Sequence, residues 1–301
     1  MTALLLCGLA WYVYDHIEDF KSLWAHHIET SILLALAPAW FLSFLLASDL
    51  GRTALKYFKI NMSLLEGLAL NATGSFFNNV LPLKAGLAFR ILYLKSRFGL
   101  SPVSFTPQFI SLSVLTLSFS SFFGLIGLIK LNFLGYKPPL ALLLYFALAA
   151  FASLAALFAG GRLVSRLFMS KRPFLDSWNS LARSPYLQRR LALNQAAYFL
   201  SWALLNWLTL IAFNVHLSWP ALFFFAAVQI HATLINLTPG GLGLVEIVSA
   251  FVGQSLGAAP VQILSAQLLF RVVTVSLLSL TSLWGWSHLK RLQGTFLLFR
   301  S

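Results

Sequence analysis

Long apolar stretches alternate with short polar ones along this chain, and they have the length that crosses a bilayer, about 20 helical residues. Candidate spans lie at 31–47, 107–129, 138–160, 191–214 and 260–286. A further apolar run, 1–14, lacks the basic leader and small-residue cleavage site of a signal peptide and reads as a retained first helix. Two more apolar regions, 60–98 and 220–258, are each broken near the middle. The breaks share a skeleton, Asn79-Val-Leu-Pro82-Leu-Lys-Ala-Gly86-Leu87 and Asn236-Leu-Thr-Pro239-Gly-Gly-Leu-Gly243-Leu244. Pro has no amide hydrogen and Gly adopts angles that other residues avoid. Pro82 with Gly86, and Pro239 with Gly240, Gly241 and Gly243, are therefore expected to end a helix abruptly. At membrane depth such a break is tolerated only where protein or a polar cavity satisfies the freed backbone.

Composition agrees with this pattern: 59% of the chain is hydrophobic and 10% charged, and no polar segment has room for a separate soluble domain. The net charge of +13 is unevenly spread. Basic residues gather in 52–97, 162–190 and the C-terminal tail, whereas 15–29 holds Asp15, Glu18, Asp19 and Glu29 against Lys21. Basic loops stay cytoplasmic, so both termini are expected inside, with 15–29, 130–137 and 215–219 outside. The charge then reflects topology and anionic headgroups, not nucleic acid. A single cysteine, Cys7, excludes an intrachain disulfide and a cysteine metal cluster.

This orientation makes the first broken region begin and end inside and the second begin and end outside. The expected fold is all-α: one polytopic membrane domain over 1–301, with about six full transmembrane helices and two re-entrant or broken-helix hairpins in an inverted repeat. The repeat units run over about 31–130 and 191–287, joined by a basic cytoplasmic linker at 161–190. For the second hairpin, a tight full crossing and return also fits.

Half-helix N-termini carry free N–H groups and partial positive charge, suited to an anion such as a lipid phosphate. Asn78, Asn79 and Asn236 stand where an amide can either cap the broken backbone or touch a ligand. Ionisable residues within apolar sequence are functional by default, and Lys84, Arg90, Glu246 and Arg271 qualify. Arg90 could instead reach toward the cytoplasmic interface with Lys95 and Arg97. Arg271 sits mid-way along the last span, and Glu246, the only acidic residue after Asp176, is its natural partner. Their pair reads either as a pin between hairpin and helix or as a charge site that a phosphate or proton competes for. His231, near Gln229, reads as a helix-to-helix hydrogen bond or as a member of such a site. Serines 111, 113, 118, 120 and 121 with Thr116 point to close helix packing. No metal-ligand spacing, nucleotide loop, serine elbow or catalytic carboxylate pair occurs, so no cofactor, metal or catalytic residue is expected.

Through Asn79-Val-Leu-Pro82 to Arg90, Pro239-Gly-Gly-Leu-Gly243-Leu-Val-Glu246 and Arg271, the chain resembles the flippase-type transmembrane domain of the lysylphosphatidylglycerol synthases, the multiple peptide resistance factor proteins. The resemblance spans nearly the whole chain. It implies a lipid-translocating domain acting on phospholipids or polyprenyl-type lipids. Members often carry an acidic residue directly after the first-motif Gly, where this chain has Leu87, so a carboxylate paired with Arg90 is lost or moved. The soluble aminoacyl-transferase domain is absent from the sequence.

The expected function is a lipid flippase or transporter of the bacterial cytoplasmic membrane rather than an enzyme. Asn79, Pro82, Gly86, Arg90, Asn236, Pro239, Gly240, Gly243, Glu246 and Arg271 form the candidate binding set for a phosphate-bearing lipid. The alternatives are a headgroup enzyme built on Glu246 and His231, or a non-transporting partner of a lipid-modifying enzyme. A homo-oligomer is compatible with all three.

Overall fold

The computed structural model describes residues 11–25, 28–81, 84–167, 185–235 and 239–298, and every regular element among them is helical. Pro82, Asn236, the first ten residues of the expected N-terminal helix and 168–184 of the expected linker lie outside the described residues. In chain order the helices are α1 (Ile17–Ala25), α2 (Thr30–Leu55), α3 (Leu64–Val80), α4 (Ala85–Phe98), α5 (Pro102–Phe133) and α6 (Leu140–Leu167). They are followed by α7 (Pro185–Ile211), α8 (Trp219–Ile235), α9 (Leu244–Ser255) and α10 (Pro260–Leu298).

By length and composition, Thr30–Phe58, Phe109–Phe133 and Pro260–Leu292 are apolar enough to cross a membrane. The other two expected spans are also helical, as α6 and α7. Both reach into the region read as linker, α6 to Leu167 and α7 from Pro185. A proline suits the first turn of a helix, where its missing N–H has no acceptor to lose, and α5, α7 and α10 all begin on one. The acidic 15–29 stretch, read as a connection, contains α1. Glu18 and Asp19 favour its N-terminal turn, and Lys21 bonds Glu18 at 2.7 Å.

The chain divides into two compact units. One comprises Met1–Ser43, Phe119–Ala149 and Phe199–Ser276; the other comprises Phe44–Ser118, Ala150–Tyr198 and Leu277–Ser301. Among the described elements, α2, α5, α6, α7 and α10 each contribute residues to both. The two broken regions do not: α3 and α4 belong whole to the second unit, here the Arg90 unit, and α8 and α9 to the first, the Gly243 unit.

In the Arg90 unit the arms α3 and α4 pack together over a core of Leu55, Ile60, Leu70, Tyr93, Leu94 and Leu289. Ser63 caps α3 by accepting the Glu66 N–H at 3.1 Å. Gly99, at φ 67°, ends α4 with its N–H on the Lys95 carbonyl, and Leu100 folds back to bond the Leu94 carbonyl. In the Gly243 unit, α5 meets α8 closely because Gly127 has no side chain. A Cβ there would press on the Pro220 carbonyl and the Phe224 backbone. The α5 hydroxyls behave as packing groups: Ser113, Thr116 and Ser118 each bond a carbonyl four residues back, at 2.8–3.0 Å.

Candidate functional site

Each hairpin tip exposes the start of a helix, and each deals with it differently. In the Arg90 unit, α3 ends at Leu81 and α4 begins after Lys84, whose left-handed backbone (φ 55°) turns the chain and whose side chain caps nothing. The Gly86 N–H, one of the free donors at the α4 start, is taken by Asn78 Oδ1 across the hairpin at 2.9 Å. Gly86 is required here, because a Cβ would overlap the Gly74 carbonyl on the opposite arm. Asn79, the motif asparagine, instead donates to the Ser75 carbonyl within its own helix at 2.9 Å. Of the two asparagines considered from sequence, Asn78 makes the tip contact.

Gly74 also makes room for Arg90, whose side chain folds over it toward α3 rather than extending away from the hairpin. Arg90 Nη2 donates to Asn71 Oδ1 at 2.7 Å and to Ser75 Oγ at 3.0 Å, with a longer contact of 3.4 Å to the Asn71 carbonyl. Asn71 is held in turn by donating to Ser48 Oγ of α2 at 2.9 Å. All of these acceptors are uncharged, and the buried Nε has no partner among the described residues. Among the described residues, no carboxylate pairs with Arg90. Glu66 is engaged with Tyr93 and Arg97, and Asp49 with Arg52 and Arg190. Leu87, standing where the resemblance places an acid, packs against the apolar core of the unit.

In the Gly243 unit, Pro239–Gly241 forms a 3-10 turn with Gly240 at φ 59° and Gly241 at φ 77°, and Gly243 follows at φ 87°. Three left-handed residues so close together explain the density of glycine. Glu246, in the first turn of α9, reaches back so that its Oε2 accepts the Gly243 N–H at 2.8 Å. Its other oxygen, Oε1, accepts from Arg271 Nε at 2.8 Å and pairs with Nη2 at 2.5 Å. Arg271 Nη1 completes the arrangement on the Gly240 carbonyl at 3.2 Å. The expected Glu246–Arg271 pair is thus present. The expectation that the α9 N-terminus stands open for an anion needs correction, since this chain's own carboxylate occupies it.

His231 does not join that pair. Its ring hydrogen-bonds Ser121 Oγ at 3.2 Å and Tyr145 Oη at 2.8 Å and stacks on Phe146. This is the helix-to-helix role, tying α8 to α5 and α6. Gln229 donates to Ser249 Oγ at 3.0 Å instead.

Three polar groupings escaped sequence reading. Buried Glu66 accepts from Tyr93 Oη at 2.6 Å and from Arg97 at 3.5 Å, locking the base of the first hairpin. Asp49 gathers Arg52, Arg190 and Asn194 and so ties α2 to α7. The third is the Asn71–Ser75 seat of Arg90. Its signal was available: Asn71 and Ser75, two polar residues four apart on α3, share a face.

No curated protein matches the chain. The family described as the lysylphosphatidylglycerol synthase TM region matches residues 2–282, so the chain belongs to that family of membrane domains and shares its lipid-related setting.

Proposed function

We propose that the chain moves a phosphate-bearing lipid, a phospholipid or polyprenyl-type lipid, between leaflets of the bacterial cytoplasmic membrane. The α3–α4 hairpin re-enters from the cytoplasmic side and α8–α9 from the outer side, as an inverted pair. Arm length supports re-entry. The arms have 17, 14, 17 and 12 residues. At 1.5 Å per residue none exceeds about 26 Å, against a hydrocarbon core of about 30 Å.

The observation that carries this reading is Arg90. A guanidinium folded into a membrane hairpin among neutral acceptors, with its buried Nε unpartnered and no carboxylate beside it among the described residues, is suited to an anionic ligand. Phosphate matches the planar donor fork of arginine, and the lipid setting of the family supplies phosphate. Transport is favoured over headgroup chemistry because Glu246 and His231, the pair an enzyme would need, are each engaged with separate partners. Glu246 sits with Arg271 and the Gly243 N–H while His231 sits with Ser121 and Tyr145, so the two do not form one acid–base pair.

Proteoliposomes carrying a fluorescent anionic phospholipid test the proposal. The wild-type chain is expected to equilibrate the probe between leaflets. Arg90→Gln is expected to slow that rate at least about tenfold, the loss of roughly 1.4 kcal/mol of binding. Equal rates for the two proteins would refute the role given to Arg90, and a wild-type rate equal to that of empty vesicles would refute transport.

A further inference from the structure

The face that α9 turns toward α10 is layered. Glu246, Ser249 and Gly253 fall three and four residues apart on α9, and Arg271, Gln267 and Ile263 at four-residue steps on α10, so each set forms one stripe. Contacts fix the two end layers. Glu246 pairs with Arg271 at 2.5 Å. At the other end Gly253 lies against Ile263, whose side chain would collide with any Cβ there. The stripes run antiparallel, which brings Ser249 level with Gln267 in the layer between.

That middle layer is polar and closed. Gln229 and Ser249 are each 1% exposed and Gln267 is 3% exposed. Ser249 Oγ accepts from Gln229 Nε2 at 3.0 Å, yet Gln267 Nε2 is buried without a hydrogen-bond partner among the described residues. An idle amide donor in a buried layer is costly, and an apolar side chain of the same length would fill the space without that cost. The amide is set for an acceptor that the described chain does not supply. One turn away, Glu246 already balances the charge of Arg271, so the layer has no surplus positive charge to attract an anion.

We propose that Gln229, Ser249 and Gln267 form a neutral subsite of the second hairpin that binds an uncharged oxygen acceptor. The oxygen comes from a hydroxyl of a lipid headgroup or from a buried water. The lipid source rests on the transport reading above, whereas the water source does not.

Two measurements on the purified full chain separate the sources. The first is native mass spectrometry of wild type and Gln267→Met with phosphatidic acid and phosphatidylinositol of identical acyl chains. A headgroup hydroxyl as occupant predicts that the variant loses about tenfold in affinity for phosphatidylinositol and little for phosphatidic acid. The second is a high-resolution map of the lipid-free protein, in which a water appears as a discrete peak within hydrogen-bonding distance of Gln267 Nε2. Absence of both the peak and the headgroup discrimination overturns the subsite, as does a Gln267→Met protein that unfolds at higher temperature and retains both lipids as wild type does. Ser249→Ala, a smaller change in the same layer, provides the lipid readout if Gln267→Met does not yield folded protein. Wild-type protein that retains neither lipid refutes the phospholipid form of the transport reading and leaves the water peak to decide the subsite.

Discussion

At the tip of the α8–α9 hairpin, the helix start is covered by Glu246, Glu246 is neutralised by Arg271, and Arg271 returns to the tip through the Gly240 carbonyl. At the tip of α3–α4, among the described residues, the Gly86 N–H at the helix start meets the neutral amide of Asn78, and Arg90 meets Asn71 and Ser75. The same Asn, Pro, Gly and Leu skeleton therefore specifies a break in a helix without specifying its charge. One hairpin pairs its arginine with a carboxylate and is electrically closed there; the other, among the described residues, gives Arg90 no carboxylate and is open there. In a medium where an isolated charge is expensive, an open hairpin is the one that gains most from an anionic ligand.

The sharpest way to break this comparison is through stability. Glu246→Gln leaves the half-buried Arg271 beside a neutral amide and weakens the cover of the α9 start, so it should cost about 2–4 kcal/mol, below the full cost of breaking a fully buried pair, read as a lower thermal unfolding midpoint in detergent. Adding Arg271→Met to that variant should recover part of the loss, because the stranded charge is removed. Arg90→Gln should change stability by no more than about 1 kcal/mol, since it discards an ion that no carboxylate compensates. Comparable losses for Glu246→Gln and Arg90→Gln would mean that the hairpins are not electrically different.

Ligand binding should show the opposite ranking. Arg90→Gln removes the charge-assisted bonds available to a phosphate and should weaken retention of an anionic phospholipid by about ten- to a hundredfold, measured by native mass spectrometry. Leu87→Asp tests the same logic from the other side. Leu87 lies one helical turn before Arg90, so an aspartate there can supply the missing counter-ion from within the chain. Lipid retention should fall about tenfold with Arg90 still present. Leu87→Asn, which introduces polarity into the same apolar core without charge, should leave retention closer to wild type. If the two variants weaken retention equally, the loss comes from disturbed packing and not from charge.

Much of this was legible in the sequence. Apolar runs located the long helices, and Pro and Gly located the breaks, because both signals are local. The Glu246–Arg271 pair was legible by elimination, as only one acid follows Asp176. The closure of the α9 start could also have been read: Gly243 and Glu246 stand at the N-cap and third helical positions, the spacing of a capping box. Arg90 was different. From the linear order, Arg90 could equally belong to the binding set or reach outward with Lys95 and Arg97. Only the return of α4 against α3, through the glycine pair Gly74 and Gly86, brings Asn71 and Ser75 to it. Asp49 with Arg190 and Glu66 with Arg97 were hidden for the same reason, since both are contacts between distant segments.

The smallest expected effect probes how tightly the neutral seat competes with a ligand. Ser75 Oγ accepts from Arg90 at 3.0 Å and donates to Asn71 Oδ1 at 3.3 Å, so it both holds the guanidinium and orients its other acceptor. Ser75→Ala removes one acceptor and leaves Asn71 in place. Stability should fall by about 0.5–1.5 kcal/mol, the worth of one such bond. Affinity for an anionic phospholipid should nevertheless rise, by about two- to fivefold, because the guanidinium then has less to lose by turning to the ligand. A decrease instead would mean that Ser75 orients Arg90 for the anion rather than competing with it, and the first hairpin would then be a preformed anion site instead of one held by neutral stand-ins.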